Sequence, residues 1–111
     1  MTCQEEMLEY FNGDTLPAIP CVYKQKDPNN PSQKIPIDIT GYQFRLVINY
    51  NTPRTINGTI VNALLGEFIF EFISGDINTV GIFNSQITII DDSSKEITYE
   101  FVKFDIKQRY A

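Results

Sequence analysis

The stretch Tyr42–Tyr50, with the sequence YQFRLVINY, alternates two kinds of side chain. Polar residues and one valine occupy the positions between large apolar side chains. Those apolar side chains are Tyr42, Phe44, Leu46, Ile48 and Tyr50. A repeat of two residues is that of a strand with one face buried and one face in water. The stretch therefore predicts a half-buried β-strand.

The stretch Glu67–Ile73, with the sequence EFIFEFI, repeats this pattern with larger side chains. Phe68, Phe70 and Phe72 share one face of the predicted strand. Burying a Phe side chain contributes roughly 1.5–3 kcal/mol before the entropy of ordering is subtracted. We expect this stretch to form the centre of the hydrophobic core.

Further strand-like segments are separated by turn residues, and they span 15–24, 35–39, 54–61, 82–90 and 95–107. Pro17 and Pro20 interrupt the first of these, so we expect it at a sheet edge or with one side free, because proline cannot donate to a ladder. The last segment changes its apolar phase midway, which a β-bulge near Val102 would explain. The proline-rich stretch 25–34 is predicted to be the clearest loop.

The composition supports an all-β fold. The chain has 111 residues, with 16 Ile, 5 Val and 9 Thr against 3 Ala and 5 Leu. β-branched side chains suit a pleated surface, whereas Ala and Leu favour helices. About seven strands with regular turn signals are typical of an immunoglobulin-like antiparallel β-sandwich. We expect one such domain over residues 1–111, with residues 1–6 as a flexible tail.

The charge and hydropathy of the chain exclude several classes of partner. The net charge is −5, and the nine Lys and Arg residues are scattered. Nucleic-acid binding requires a concentrated positive field, so we expect no nucleic-acid partner. An acidic surface and the lack of a long apolar run predict no association with membranes. The first residues lack the features of a signal peptide, so we expect synthesis in a cytoplasm without export.

Residues that could carry catalysis or bind a metal are scarce. The chain contains no His, which removes the usual base for a Ser or Cys nucleophile and a common zinc ligand. The acidic pairs are Asp91 with Asp92, read as solvated turn residues, and Glu67 with Glu71, which are about 13 Å apart on a strand. A calcium site at Asp91, Asp92 and Ser93 is a weaker alternative. We expect no enzymatic activity, no cofactor and no catalytic or metal-binding residues.

Cys3 and Cys21 are the two cysteines of the chain. Without a secretion signal, two free thiols are the favoured interpretation, because the cytoplasm keeps thiols reduced. The alternative is a disulfide that ties the N-terminal tail to a strand.

Three groups of turn residues recur in an order that resembles a known family. Their members are Gly13, Asp14, Thr15, then Pro36, Asp38, Thr40, Gly41, and finally Gly81. This order, over about residues 12–107, resembles the N-terminal immunoglobulin-like domain of phage baseplate upper proteins and similar small phage tail domains. Three of these residues also have a physical role: Asp38 can accept backbone hydrogen bonds, Gly41 relieves crowding in the turn, and Gly81 allows close packing where the chain enters its strand.

The resemblance implies a structural component of a phage or prophage tail or baseplate. Such a domain would act as a protein–protein docking module, with other tail or baseplate proteins or copies of itself as partners. Its location would be the virion, after assembly in the host cytoplasm. The alternative is an immunoglobulin-like module that binds carbohydrate or a host surface through loops 25–34 and 51–53.

Overall fold

The computed structural model describes Cys3 and residues 8–110, and it is all-β over these residues. The elements in chain order are β1 (Leu8–Phe11), β2 (Ile19–Val22), β3 (Lys24–Lys26), β4 (Lys34–Pro36), β5 (Gln43–Ile48), β6 (Arg54–Asn62), a 3₁₀ turn (Ala63–Leu65), β7 (Glu67–Phe70), β8 (Gly81–Phe83), β9 (Ser85–Ile90), β10 (Glu96–Glu100) and β11 (Phe104–Lys107). The predicted tail over residues 1–6 lies, apart from Cys3, outside the described residues.

The strands form three sheets. The largest has six strands in the order β10-β9-β5-β6-β7-β2, and the second has three in the order β1-β11-β8. Strands β3 and β4 form a separate hairpin, so the ends of the predicted loop 25–34 are paired. The described part of the chain is elongated, with extents of 53 × 27 × 22 Å.

The alternating stretches predicted from the sequence form the core. Phe44, Leu46 and Ile48 are buried on one face of β5, and the residues between them are exposed or half-buried. Phe68 and Phe70 of β7 are buried as well, and the rings of Phe44 and Phe68 stack with centroids 3.8 Å apart. The predictions of a half-buried strand within Tyr42–Tyr50 and of a core centre at Glu67–Ile73 are confirmed.

The three-stranded sheet supplies the other side of the same core. Its inward side chains include Tyr10 and Phe104, both nearly inaccessible to water. Phe72, which follows β7, meets Tyr10 edge to face at 5.3 Å and Phe104 at 6.2 Å. One face of the six-stranded sheet and one face of the three-stranded sheet therefore enclose a single apolar interior, an arrangement consistent with a β-sandwich.

The segments 82–90 and 95–107 are each divided between two sheets, which the sequence did not predict. The first is divided at Asn84 and the second over 101–103. The two divisions lie side by side, because Phe101 N–H donates to the Ser85 carbonyl (2.9 Å) and the Ser85 hydroxyl donates to the Val102 carbonyl (2.6 Å). The change of phase near Val102 is thus a crossing between sheets, and the predicted bulge there is wrong. The described strands number eleven rather than about seven, partly for this reason.

Strand pairing also corrects the expectation of purely antiparallel sheets. Strands β1 and β11 pair in parallel, with Leu8 opposite Phe104. Parallel neighbours need a long connection, and here nearly the whole chain lies between the two strands. The prediction considered only short connections and so missed this pairing.

Two further predictions concern β2. Pro20 lies in β2, which is an edge strand as expected. Cys21, in the same strand, forms a disulfide with Cys3, and their Cα atoms are 4.3 Å apart. The favoured interpretation of two free thiols is therefore wrong, because it rested on cell compartment and contained no information on distance.

Candidate interaction surface

The Gly13-Asp14-Thr15 element forms a tight turn after β1. Asp14 N–H donates to the Phe11 carbonyl (2.9 Å), and Gly13 has a φ of +93°, which an L side chain rarely adopts. Phe11 N–H donates back to Asp14 Oδ2 (2.8 Å), and Arg109 forms an ion pair with the same carboxylate. The hydrogen bond from Phe11, followed by that from Arg109, holds the pKa of Asp14 below its ordinary value. Thr15 is exposed beside this turn.

The second element is also a turn held by its own aspartate. Thr40 donates to Asp38 Oδ1 from its hydroxyl (2.6 Å) and its backbone N–H (3.0 Å), and these bonds lower the pKa of Asp38. Gly41 has a φ of +82°, and a Cβ there would lie 3.3 Å from the Cβ of Asp92. Pro36 is the last residue of β4. Asp38, Thr40 and Gly41 thus form a turn that lies close to the loop between β9 and β10.

Gly81 begins β8 with a φ of +142°. A Cβ at this position would lie 3.1 Å from the ring of Phe83, so a side chain would crowd that ring. Gly81 pairs with Ile106 near the end of β11, and Asn12 N–H reaches the next residue, Lys107 (2.8 Å). The Gly81 and Gly13 elements are therefore neighbours.

The three elements do not converge on one site. Gly41 lies at the end of the six-stranded sheet where Gln43 pairs with Ile90. The sheet crossings that lead to β8 and β11 lie at the opposite end, where Ile48 pairs with Ser85. The predicted motif residues therefore shape turns in two separate regions and form no common cavity.

Asp76 is a buried carboxylate whose environment the sequence did not reveal. It is 3% exposed, and its two oxygens accept hydrogen bonds from Ile73 N–H and Arg54 Nε, both at 2.8 Å. The Tyr50 hydroxyl donates to the Asp76 carbonyl (2.9 Å). Local sequence patterns do not reveal this environment, because Arg54 lies 22 residues from Asp76 along the chain. Both oxygens are engaged, so this carboxylate holds the loop after β7 in place.

Asp91, Asp92 and Ser93, which were considered for catalysis or calcium binding, lie in one turn. Asp91 Oδ1 accepts hydrogen bonds from Ser93 N–H and Lys95 N–H, both at 2.9 Å. Asp92 and Ser93 are exposed in the same loop. Over Cys3 and residues 8–110, no group of three or more Cys, Asp or Glu side chains is arranged to hold a metal ion.

The hydrogen-bond pattern of β10 shows which of its backbone groups are engaged. Phe101 N–H donates to the Ser85 carbonyl, and Asp91 N–H donates to the Lys95 carbonyl, both at 2.9 Å. Both pairs fall in the register of β10 with β9. Because hydrogen-bonded pairs alternate along an antiparallel ladder, the odd-numbered residues between them also bond to β9.

The even-numbered residues of β10 therefore direct their backbone groups away from the sheet. These are Glu96, Thr98 and Glu100, each with one N–H and one carbonyl. No strand covers this side of β10 within the described part of the chain. An edge of this kind can pair with a strand from another chain.

The other edges of the two larger sheets are shorter or blocked. By the same alternation, the residues of β2 that face outward are Pro20, which has no N–H, and Val22. On β1 the outward N–H of Phe11 already donates to Asp14. On β8 only Ile82 faces outward. Strand β10 thus offers the longest uninterrupted row of backbone groups.

The two faces beside β10 differ in chemistry. On the inner face, Ile97 is 47% exposed and borders a depression of about 170 Å³ that Tyr23 and Tyr42 also line. Burial raises the pKa of Tyr23 to about 12, and the neighbouring Tyr99 adds to the shift. On the outer face, the side chains of Glu96 and Glu100 are exposed.

A groove of about 450 Å³ lies on the outer face near the end of β10. Amide, carboxylate and aromatic side chains line it, and they include Asn49, Asn84, Gln86, Glu100 and Phe101. Pro53 of loop 51–53 also lines it. No residue of loop 25–34 does, and that loop leaves the sheet near Asn62 at the far end of β6, about 26 Å away along the strand. The two loops predicted to form one contact therefore lie apart.

No protein-family model matches this chain, and no curated protein does either. Within the described residues, no helix has the length and apolarity needed to cross a bilayer.

Proposed function

We propose that this chain is a structural component of a phage or prophage tail or baseplate, and that it docks to neighbouring proteins through the open edge of β10. The single observation that supports docking is the row of outward backbone groups at Glu96, Thr98 and Glu100. The placement in a tail or baseplate rests on the order of turn elements around Gly13, Asp38 and Gly81, which resembles that of baseplate upper proteins. We further propose that the sheets have the immunoglobulin-like topology of that family.

Sheet extension explains how this domain could assemble with another protein, because the outer edge of β10 has no neighbouring strand in the described part of the chain. Main-chain hydrogen bonds to an added strand provide affinity, and the side chains of alternate residues provide specificity. Strand β10 carries β-branched and aromatic residues, Ile97, Thr98 and Tyr99, which favour pairing. In contrast, Pro20 on β2 discourages a second strand there.

Light scattering tests this function directly. The chain would be sized alone and after mixing with phage tail and baseplate proteins. We expect a complex of defined mass with at least one of them. A chain that stays monomeric with all of these proteins would contradict the proposal.

A pair of substitutions at one position locates the contact. Thr98→Pro removes an outward N–H without removing a bond to β9, as Pro20 does in β2. Thr98→Ala is the matched control, because both variants lose the side-chain hydrogen bond between Thr98 and Thr88 (2.9 Å). We expect the proline variant to lose the complex and the alanine variant to retain it.

The groove near Phe101 favours a second function, binding of carbohydrate or a host surface. Amide and carboxylate groups such as those of Asn49, Gln86 and Glu100 can hydrogen-bond to sugar hydroxyls, and Phe101 could pack against a sugar ring. A glycan array would test this function. Binding that Gln86→Ala abolishes would support it, and an array without signal would count against it.

A further inference from the structure

The chemistry on the two sides of β10 indicates which kind of strand it can accept. Because Glu96, Thr98 and Glu100 share one side of the strand, they form a row on the outer face of the sheet. The glutamates are about 13 Å apart, with Thr98 between them. A strand added at the edge would place alternate side chains next to this row.

Neither glutamate forms an ion pair within 4.0 Å in the described part of the chain. Lys95 borders the inner depression beside Glu96 but does not pair with it. The partners of the two glutamates on β9 are neutral: Ile90 faces Glu96, and Gln86 faces Glu100. Negative charge at this edge is therefore left for an incoming strand to balance, and Lys or Arg side chains would do so.

The inner side of the same edge carries Ile97, which is 47% exposed, and Tyr99, which is half-buried. The depression beside Ile97 is lined by the aromatic and aliphatic side chains of Tyr23, Tyr42 and Ile89 and by the charged residues Asp91, Lys95 and Glu96. Its volume of about 170 Å³ can take a single apolar side chain. An apolar side chain of an incoming strand would cover the exposed part of Ile97, so apolar residues are favoured on this side.

A second copy of this chain fits the edge poorly. In the antiparallel register that uses all three outward residues, Thr98 would face its own copy. Glu96 would then lie opposite Glu100 of the second copy, and the same contact would occur twice. Like charges directly opposite each other on adjacent strands are destabilising. The row thus disfavours self-pairing and favours a different chain.

We infer that β10 accepts an extended segment of another protein in which Lys or Arg alternates with apolar residues. This inference rests on the proposed docking function and specifies its partner. The basic side chains would lie beside Glu96 and Glu100, and the apolar ones beside Ile97 and Tyr99.

Fluorescence anisotropy with labelled peptides tests the inference. The probe is a seven-residue peptide in which Lys and Val alternate. One control peptide has the same composition with the Lys residues in one block, and another replaces every Lys with Glu. We expect the alternating Lys peptide to bind at least tenfold more tightly than either control, because only it presents both faces in register.

Protein variants separate the charged row from general attraction to an acidic protein. The double substitution Glu96→Gln and Glu100→Gln should weaken binding of the alternating peptide about tenfold. Glu71→Gln removes one exposed carboxylate away from β10 and should leave binding unchanged. Equal binding of the alternating and block peptides, or equal losses per charge in the two variants, would overturn the inference.

Failure of the inference can be distinguished from failure of the docking function. If Thr98→Pro abolishes the complex with tail proteins while the double glutamine variant retains it, the edge docks but the partner is not basic. If Thr98→Pro leaves that complex intact, docking does not use β10 and both proposals are wrong.

Discussion

Replacing Asp76 with Ala should destabilise the protein by about 1.5–4 kcal/mol. The substitution leaves Ile73 N–H without its acceptor, and a hydrogen bond to a charged group contributes about 1.5–3 kcal/mol. It also removes the ion pair with Arg54, whose side chain is 42% exposed and can be solvated by water. For that reason we add only about 0–1 kcal/mol for the ion pair. The free energy of unfolding would be measured by urea denaturation.

Related variants divide this effect between its parts. Asp76→Asn keeps an oxygen for Ile73 N–H and loses the charge, so it should cost less than Asp76→Ala. Asp92→Ala removes an exposed aspartate and should change stability by less than about 0.5 kcal/mol. Arg54→Ala, alone and combined with Asp76→Ala, gives the coupling energy of the pair. A loss below about 1 kcal/mol for Asp76→Ala would refute the assignment of this carboxylate as the anchor of the loop.

Three other changes have defined outcomes. Mass spectrometry with and without reductant should show the Cys3–Cys21 disulfide, and an unchanged mass would show free thiols. The two cysteines are 18 residues apart, so reduction should lower the free energy of unfolding, measured in urea, by about 3 kcal/mol. Burial, with a smaller effect of the negative charge on Asp14, raises the pKa of Tyr10 from 10.0 to about 12. The stabilisation that Tyr10 contributes should therefore be present in full below pH 10 and be lost as the pH rises toward 12. Ultraviolet titration of Tyr10→Phe should lack one late-titrating tyrosine, and an unchanged curve would contradict this. Gly66→Ala should lower the midpoint of thermal unfolding more than Gly75→Ala does. Both glycines have a positive φ, but only a Cβ at Gly66 would meet backbone oxygens, at 2.5 and 2.9 Å. Equal decreases in the midpoint would show that backbone conformation alone matters.

Features with a local repeat could be predicted from the sequence. The every-second-residue spacing around Phe44 and Phe70 predicted two core strands, because side-chain direction in a strand follows directly from position. Pro20 predicted an edge strand for a similar reason, since its missing N–H must face away from the neighbour. Its nitrogen does face outward, as the pairing of Cys21 and Ile19 with β7 requires.

Features that depend on distant contacts could not be predicted in this way. The parallel pairing of β1 with β11, the crossing between sheets near Val102 and the ion pair of Arg54 with Asp76 each join segments far apart in the chain. A change of phase looks the same in sequence whether the cause is a bulge or a change of sheet. The docking edge was predicted only in general terms, because identifying β10 required the register of every strand.

Amide hydrogen exchange, followed by nuclear magnetic resonance, tests docking at β10 most directly. In the isolated protein, the outward amides of Glu96, Thr98 and Glu100 should exchange rapidly, while those of Ile97 and Tyr99 should be protected by bonds to β9. Binding of the alternating Lys peptide or of a tail protein should then slow exchange at the three outward amides. Complex formation that leaves all three amides exchanging as fast as before would contradict strand addition at this edge.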